Sequence, residues 1–379
     1  MRGKIGWFNK WTTVYNMIIT KIDWYILKRY LATFTVMLLL FIPIGIVIDV
    51  AEKINRMLEN DVAFINIFWY YLDFIVYFAN LLFPIFLFLS VIWFTSKLAN
   101  NSEIIAILSS GISFNRFLRP YVFGASIVSI FTILMGFFIL PKASKGFNDF
   151  RYKYLKKDQE FRQTGNVFRK ISDNEIIYVS SFNVVSKVAT NFTLERFKGD
   201  NLEELDFKIT ANKLKWNAAD STYSLIDYNK RTLLKDGERL ENKAQLDTVF
   251  KFDLDDLTPV IYIAETLTLT ELSNFIKKEQ ARGNGNVDTY LVVLYKKYSL
   301  PVTAFILTFI AVAVSAMKRR GGMGVNLAIG IVIAFTYVFF DKVFGTLAEK
   351  SSIPPIVAVW LPNVVFGILA IFLIRNAKR

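Results

Sequence analysis

The sequence predicts a membrane protein of mixed class, with six transmembrane helices and an antiparallel β-domain inserted between the third and the fourth helix. Three observations favour this fold class. Six apolar runs are long enough to cross a bilayer, 54% of the 379 residues are hydrophobic, and the stretch between runs three and four alternates polar and apolar residues instead. Because soluble proteins of this length rarely carry so much apolar content, we expect lipid around the six runs.

Each predicted span holds about 20 mostly apolar residues, the length that a hydrocarbon core of ~30 Å requires. The six predicted spans cover residues 27–50, 65–94, 121–140, 300–317, 325–344 and 356–374. The second is long enough to tilt or to kink at Pro84. The first run is itself of span length, so we expect no cleavable signal peptide before it.

The placement of lysine and arginine predicts one orientation for all the spans. Basic residues cluster before span one, between spans two and three, after span four and behind span six: Lys21, Lys28, Arg29, Lys97, Arg116, Arg119, Lys318, Arg319, Arg320, Arg375, Lys378 and Arg379. With six spans, all four clusters fall on the same side, which the positive-inside rule makes the cytoplasm. We therefore expect both termini in the cytoplasm and the β-domain on the opposite side.

The predicted domains are residues 1–141 with spans one to three, residues 142–286 with the β-domain, and residues 287–379 with spans four to six. Strand-like patterns predict an antiparallel sandwich or jelly-roll. They cover residues 175–180, 189–197, 205–214, 223–228 and 248–254. The pairs Gly199-Asp200 and Asp236-Gly237 have the composition of tight turns.

Helices are expected on both sides of this β-domain. A charged helix should continue span three through residues 142–163. A second helix is predicted from Thr268 to Gln280, with Thr270 as N-cap and Glu271 in the positive first turn. Gly283 to Asn286 should break this helix before span four.

Composition excludes several classes of chemistry. The chain contains neither cysteine nor histidine, which excludes thiol nucleophiles, disulfides, Cys/His metal sites and histidine triads. It also lacks a GxxxxGK[ST] sequence, so we do not expect a P-loop ATPase within this chain. The net charge of +13 lies largely beside the apolar runs, which suits anionic lipid headgroups and not nucleic acid. We expect no metal, no cofactor and no catalytic residue in this chain.

The segment from Glu103 to Ser113 lies between spans two and three and is too short to cross a bilayer. Its apolar residues recur at helical spacing, which predicts a surface helix at about residues 100–114. Gly111 should end this helix, and Pro120 should help to start the next span. The segment is either a plain connector or a docking helix for a soluble motor. In the second case, the expected contact residues are Glu103, Ile104, Ala106, Ile107 and Gly111.

Ionisable residues within or near the spans are a second group of candidates, because charges at such depths are costly and usually face protein or water. They are Asp73, Asp341 and Lys342, with Asp49, Glu52 and Lys53 at the outer end of span one. We interpret Glu52 and Lys53 as solvated interface residues. Asp73 and Asp341 either form local ion pairs or serve function. The aromatic residues of span two, which include Phe74 and Phe78, form an interface belt, pack against neighbouring helices or make a wall for acyl chains.

Several stretches of the chain resemble one known family. They are Asp23–Tyr30, Ser102-Glu103 with Ser110–Ser113 and Pro120, Tyr337–Gly345, Ile353-Pro354-Pro355 and Trp360–Asn363. Their joint order over nearly the whole chain is similar to the LptF/LptG (YjgP/YjgQ) family of lipopolysaccharide export permeases, and closer to its LptG branch. The resemblance implies a hetero-dimer of two such permeases on a cytoplasmic ATPase dimer. The pair would extract lipopolysaccharide from the inner membrane and pass it through the β-jelly-roll to a periplasmic β-jelly-roll bridge.

The resemblance also implies roles for single residues. Glu103 matches the glutamate that contacts the ATPase, and residues 45–48 match the gate helix. The family can carry a lysine for the lipid phosphates where this chain has Ile48, so we expect Lys53 or Arg56 to serve instead. The gate and its cavity are thus expected to involve Ile48, Glu52, Lys53, Arg56, Phe74 and Phe78.

Two alternatives remain open from the residues themselves. A gradient-driven secondary lipid transporter could use Asp73 and Asp341, although the sequence shows neither clear internal repeats nor discrete broken helices. A membrane sensor or assembly protein could use the β-domain as a receptor, although no cytoplasmic signalling domain is evident. The interior of the β-domain is either a filled core or a slot for lipid chains.

Overall fold

The computed structural model describes residues 20–155, 167–183, 186–198, 204–234, 236–258, 260–284, 287–317, 322–350 and 353–377. Its helices are α1 (Lys21–Glu59), α2 (Phe64–Asn100), α3 (Glu103–Ser109), α4 (Phe114–Leu134), α5 (Leu140–Phe150), α6 (Leu254–Leu257), α7 (Val260–Thr266), α8 (Leu269–Ala281), α9 (Val287–Ser315), α10 (Gly322–Lys350) and α11 (Pro355–Ala377). Its strands are β1 (Val167–Ser172), β2 (Glu175–Val179), β3 (Ser181–Asn183), β4 (Val188–Lys198), β5 (Glu204–Asn217), β6 (Thr222–Leu234) and β7 (Gly237–Thr248).

Six helices within the described residues are long and apolar enough to cross a membrane, which confirms the predicted span count. They are α1, α2, the continuous helix Phe114–Leu155, α9, α10 and α11. The third runs from α4 into α5 through a π-helical turn at Met135–Ile139, and a second π turn at Arg151–Leu155 ends its described part. The charged helix expected after span three is therefore present as far as Leu155, and the remainder of that prediction lies outside the described residues.

The chain divides into two compact units. The first contains residues 78–136 together with the described residues up to Gly45 and from Tyr295 onward. Its core is an apolar cluster to which α2, α4 and α9 contribute fully buried side chains such as Phe88, Tyr121 and Leu307. Burial of this kind stabilises a helix bundle mainly through close packing, because the surrounding lipid is as apolar as the core.

The second unit contains residues 46–77 and 137–294 and includes the β-domain. One seven-stranded antiparallel sheet runs in the order β1-β2-β4-β5-β6-β7, with β3 paired to β4. The alternation predicted near Ile209 is present, since Ile209 and Ala211 are buried beside Phe192 and Leu194 of β4. The structure confirms an antiparallel β-domain between spans three and four.

The sequence patterns placed the last strand wrongly. Residues 248–254 were expected to form it, but β7 covers Gly237–Thr248 and the chain then leaves the sheet. Phe250 and Phe252 alternate as in a strand because they pack on the sheet interior, where their rings stack 4.9 Å apart. The turn at Asp236-Gly237 is confirmed, with Gly237 at φ +152°. The turn at Gly199-Asp200 lies outside the described residues.

Two helix starts also differ from the expectation. The N-cap of α8 is Thr268, not Thr270, because Glu271 accepts hydrogen bonds from the Thr268 backbone N (2.9 Å) and Oγ1 (2.7 Å). Pro120 does not start span three, since α4 already begins at Phe114 with Ser113 as its N-cap. Gly283 at φ +68° follows α8, as predicted for the break before span four. The basic residues 318–320 and 378–379 lie outside the described part of the chain.

Candidate coupling helix and gate

The short helix α3 lies between spans two and three, where the sequence predicts a surface helix. Ile104 is 2% exposed and anchors α3 in the core of the first unit, while Ile107 is half-buried. Ile105 is 53% exposed and Ala106 is also exposed, so the opposite face of α3 is open. Gly111 follows the helix at φ +89°, a conformation that strains any residue with a Cβ. The predicted helix and its glycine stop are both present.

Glu103 opens α3 and keeps its charge available. Its carboxylate accepts hydrogen bonds from the Tyr25 hydroxyl and from the Asn101 side-chain amide, each at 3.0 Å. Both donors are neutral, so they orient the carboxylate without offsetting its charge. Tyr25 belongs to α1, and this hydrogen bond therefore joins the start of α3 to the start of span one.

A second link to the start of α1, this one from α4, was missed by the sequence analysis. Arg116 of α4 donates to both carboxylate oxygens of Asp23, at 2.6 and 2.7 Å. Asp23 also accepts from the backbone N of Thr20 at 2.9 Å, which caps the start of α1. The signal was the spacing Thr20-x-x-Asp23, which is typical of a capping box. The paired, bidentate geometry makes this the stronger of the two links.

The gate residues of α1 divide between an open apolar part and a part held by polar contacts. Ile48 is 62% exposed. Gly45 lies against Phe78, because a Cβ at position 45 would stand 2.5 Å from the ring Cε1. Between residues 45 and 48, α1 therefore packs closely against α2 at Gly45 and presents an exposed apolar side chain at Ile48.

The two basic residues expected at the gate are engaged by the protein itself. Lys53 forms an ion pair with Asp49 one turn earlier and donates to the Tyr70 hydroxyl at 3.1 Å. Arg56 donates to the backbone oxygen of Leu155 at 2.8 Å. The interpretation of Lys53 as a solvated residue is therefore wrong, because Tyr70 and Asp49 shield it, whereas Glu52 is exposed as expected.

The charged residues of the other spans differ in exposure and in the groups that they contact. Asp341 of α10 pairs with Lys296 of α9 at 2.8 Å, the kind of local ion pair that the sequence left open. Lys342 is exposed. Asp73 is half-buried against α5, where a Cβ at Gly146 would stand 1.9 Å from its Oδ2. Phe74 is 6% exposed and packs in an aromatic cluster with Tyr70 and other rings, so it serves helix packing here.

Two buried polar clusters were not predicted from the sequence. Thr303 of α9 joins Tyr337 of α10 at 2.7 Å and Asn363 of α11 at 2.8 Å. In the second unit, Arg169 is 1% exposed and pairs with two carboxylates that are fully buried. No group of metal-ligating side chains occurs among the described residues.

The comparisons with known proteins agree with this architecture. The sequence model of the family described as lipopolysaccharide export system permease LptF/LptG matches residues 24–376. The lipopolysaccharide export system permease protein LptG of Haemophilus influenzae is 20% identical over 298 residues, which are 78% of this chain and 82% of that protein. The resemblance seen in the sequence is thereby confirmed, and the chain belongs to the LptF/LptG family of lipopolysaccharide export system permeases.

Proposed function

We propose that this chain is one half of an ABC-type exporter that lifts lipopolysaccharide out of the inner membrane. It pairs with a second permease of the family, and a separate cytoplasmic ATPase dimer supplies the energy. The lipid then passes to a periplasmic bridge of β-jelly-roll domains that leads toward the outer membrane. The chain itself is a transmembrane subunit without catalytic residues.

Family membership and six apolar helices make the chain an inner-membrane protein. In the proposed orientation both termini are cytoplasmic and the β-domain, bounded near residues 141 and 286, is periplasmic. The basic residues at the start of α1, the end of α2, the start of α4 and the end of α11 support this orientation through the positive-inside rule.

The observation that carries the proposal is α3. It is a short helix with one buried anchor and an open opposite face, and it begins with a carboxylate whose charge is not offset by its two hydrogen-bond donors. A basic pocket on an ATPase would complement Glu103, and Ile105 and Ala106 would give the contact its apolar area.

Two links carry motion of α3 and α4 to span one in this proposal. The Tyr25–Glu103 hydrogen bond and the Asp23–Arg116 ion pair both end at the start of α1. The other half of α1 carries the gate residues from Gly45 to Arg56. A displacement of the docking helix therefore tilts the gate helix directly.

The energy demand favours a motor. Removing one acyl CH₂ from apolar surroundings costs about 0.8 kcal/mol, so a lipid with several chains needs either strong coupling to ATP or a continuous apolar path. Narrowing of the cavity between two permeases would supply the push. The Lys53–Asp49 pair sets the resting state of the gate, and a lipid phosphate competes with Asp49 for Lys53.

Export in proteoliposomes with the complete complex tests the proposal. Glu103→Lys should abolish ATP-dependent lipid release, and Glu103→Gln should reduce it, because the amide keeps one acceptor but loses the charge. Glu59→Lys is the matched control, since Glu59 is exposed at the other end of α1 and undergoes the same charge change. Normal export by Glu103→Lys at normal expression would exclude the coupling role.

The gate is tested separately. Lys53→Glu combined with Arg56→Glu should weaken crosslinking between lipopolysaccharide and a photoreactive residue at position 48. The β-strand lysines Lys213 and Lys215, exposed and outside the gate, provide a control with the same change of charge. Unchanged crosslinking in the gate variant would exclude these two residues from lipid capture.

A further inference from the structure

A cavity of about 760 Å³ lies within the second unit, apart from the coupling helix. Its walls come from the outer part of α2, from α5 and the π turn that follows it, and from α7 and the start of α8. Phe182 of β3 and Lys187 close it on the side of the sheet. The volume lies within the range of ~300–1,000 Å³ that is usual for small-molecule sites.

Four lysines line this cavity: Lys142, Lys145, Lys153 and Lys187. The first three form a stripe on one helical face, because positions three and eleven residues after Lys142 lie within about 60° of it around an α-helix. All four are exposed. In the described part of the chain, no carboxylate oxygen lies within 4.0 Å of any of these four ammonium groups.

Two of the three acids in the lining, Asp149 and Glu271, accept hydrogen bonds from uncharged groups. Asp149 accepts a hydrogen bond of 2.5 Å from the Tyr262 hydroxyl. Glu271 caps α8, and its hydrogen bonds from Thr268, with a smaller electrostatic contribution from Lys145, hold the pKa of this carboxyl below its usual range. Asp73 rests on the backbone of α5 at Gly146. Four lysines face three acids in the lining, and no acid of the described residues forms a direct ion pair with any of these four lysines.

The lining also presents a flat aromatic surface. Trp69 lines the cavity and is 59% exposed. Tyr154 lies beside Lys153, whose Nζ is 4.8 Å from the ring centroid. An exposed indole face next to cationic donors is suited to a sugar ring that carries phosphate, because the ring packs on the indole while the phosphate meets the ammonium groups.

We propose that this cavity binds the phosphorylated sugar of a lipid headgroup, with Lys142, Lys145 and Lys153 at the phosphate and Trp69 against the sugar. A phosphomonoester carries about −1.5 to −2 charges at neutral pH, which the lysine stripe offsets. The inference rests on the proposed function, because that function places the second unit at the periplasmic membrane surface. It adds a headgroup site that is separate from the gate residues of α1.

Photocrosslinking locates the ligand. The full chain in its native complex carries p-benzoylphenylalanine in place of Asn66, an exposed residue of the cavity lining, in phosphatidylcholine vesicles that contain either lipopolysaccharide or phosphatidylglycerol. We expect a lipopolysaccharide adduct that falls about tenfold in Lys142→Gln/Lys145→Gln/Lys153→Gln. The control is Lys213→Gln/Lys215→Gln/Lys277→Gln, which removes three exposed lysines elsewhere in the same unit and should leave the adduct unchanged.

The inference would be overturned if the triple cavity variant kept the adduct, or if the control variant lost it equally. It would also be overturned if phosphatidylglycerol gave an equally strong adduct that depends on the lysines. Loss of the adduct when inorganic phosphate is added at the concentration of the lipopolysaccharide would overturn it as well. A second probe at Ile48 separates this inference from the function on which it rests. Lipopolysaccharide adducts at position 48 without any at position 66 would refute the cavity site alone. Adducts at neither position would refute the proposed function as well.

Discussion

Replacing Arg169 by methionine should loosen the β-domain, because it removes the central cation of a buried ionic cluster. Arg169 lies 3.8 Å from Asp256 and 3.3 Å from Glu279, and it donates to the Tyr290 hydroxyl at 2.9 Å. Both carboxylates are fully buried. Burial raises the pKa of Glu279, and the charge of Arg169 acts against this effect. The cluster ties β1 to α6, α8 and the start of span four.

The size of the effect follows from what remains after the substitution. Breaking a buried ion pair by removing one partner costs about 3–5 kcal/mol. Arg282 still lies 2.5 Å from Asp256 and 3.5 Å from Glu279, so we expect the lower end, about 3 kcal/mol. Removing Glu279 together with Arg169, each replaced by methionine, should recover part of this loss, because apolar side chains of similar volume often substitute for a buried pair without cost.

Hydrogen exchange on the full chain in detergent measures this loss. A loss of about 3 kcal/mol should speed exchange of the protected β1 and β2 amides roughly 150-fold. Arg231→Met is the matched control, since Arg231 pairs with Glu238 on the exposed part of the sheet and should change exchange little. If Arg169→Met changed exchange no more than Arg231→Met, the buried cluster would not hold the domain together.

Three further predictions concern other parts of the chain. Gly45→Ala should lower thermal stability in detergent by about 1–3 kcal/mol, because the new Cβ displaces the Phe78 ring; an unchanged melting temperature would refute this contact. Asp341→Asn should lower the free energy of unfolding by about 1 kcal/mol or less and leave ATP-driven export intact, because the ion pair of Asp341 with Lys296 is local and partly exposed. Loss of export at normal expression would favour an ion pathway instead. Because folding lowers the pKa of Glu271, its carboxylate stabilises α8 fully above the unfolded pKa of ~4.3, and this stabilisation is lost as the pH falls through the folded pKa. Hydrogen exchange of the α8 amides should therefore accelerate in that acidic range. Glu271→Gln should remove this pH dependence of exchange.

The membrane part of the fold was predictable because lipid imposes a simple rule. Each span must supply about 20 apolar residues, and such runs are visible in the sequence without knowledge of the tertiary contacts. The short helix at Glu103 was also predictable, since helical spacing and the glycine stop at Gly111 are local signals. The Asp341–Lys296 pair was predicted only as a type of contact, because sequence does not show which neighbouring helix lies beside Asp341.

The β-domain was harder to predict, since its last strand buries little. β7 is largely exposed along its length, so its residues lack the alternation that identifies a half-buried strand. Phe250 and Phe252 gave the opposite error, because residues that cover a sheet alternate like residues within one. The contacts of Lys53 and the cavity at Trp69 are formed by residues that lie far apart in the chain, so no local sequence pattern predicts them.

Co-purification from native membranes in mild detergent tests the central claim most directly. The complex is isolated through this chain, and ATPase activity is measured on the product. An ATPase should accompany the wild-type chain and the Glu59→Lys control, and it should be lost or uncoupled from lipid with Glu103→Lys. A chain that purifies with its partner permease but without any ATPase would contradict a motor that docks on α3.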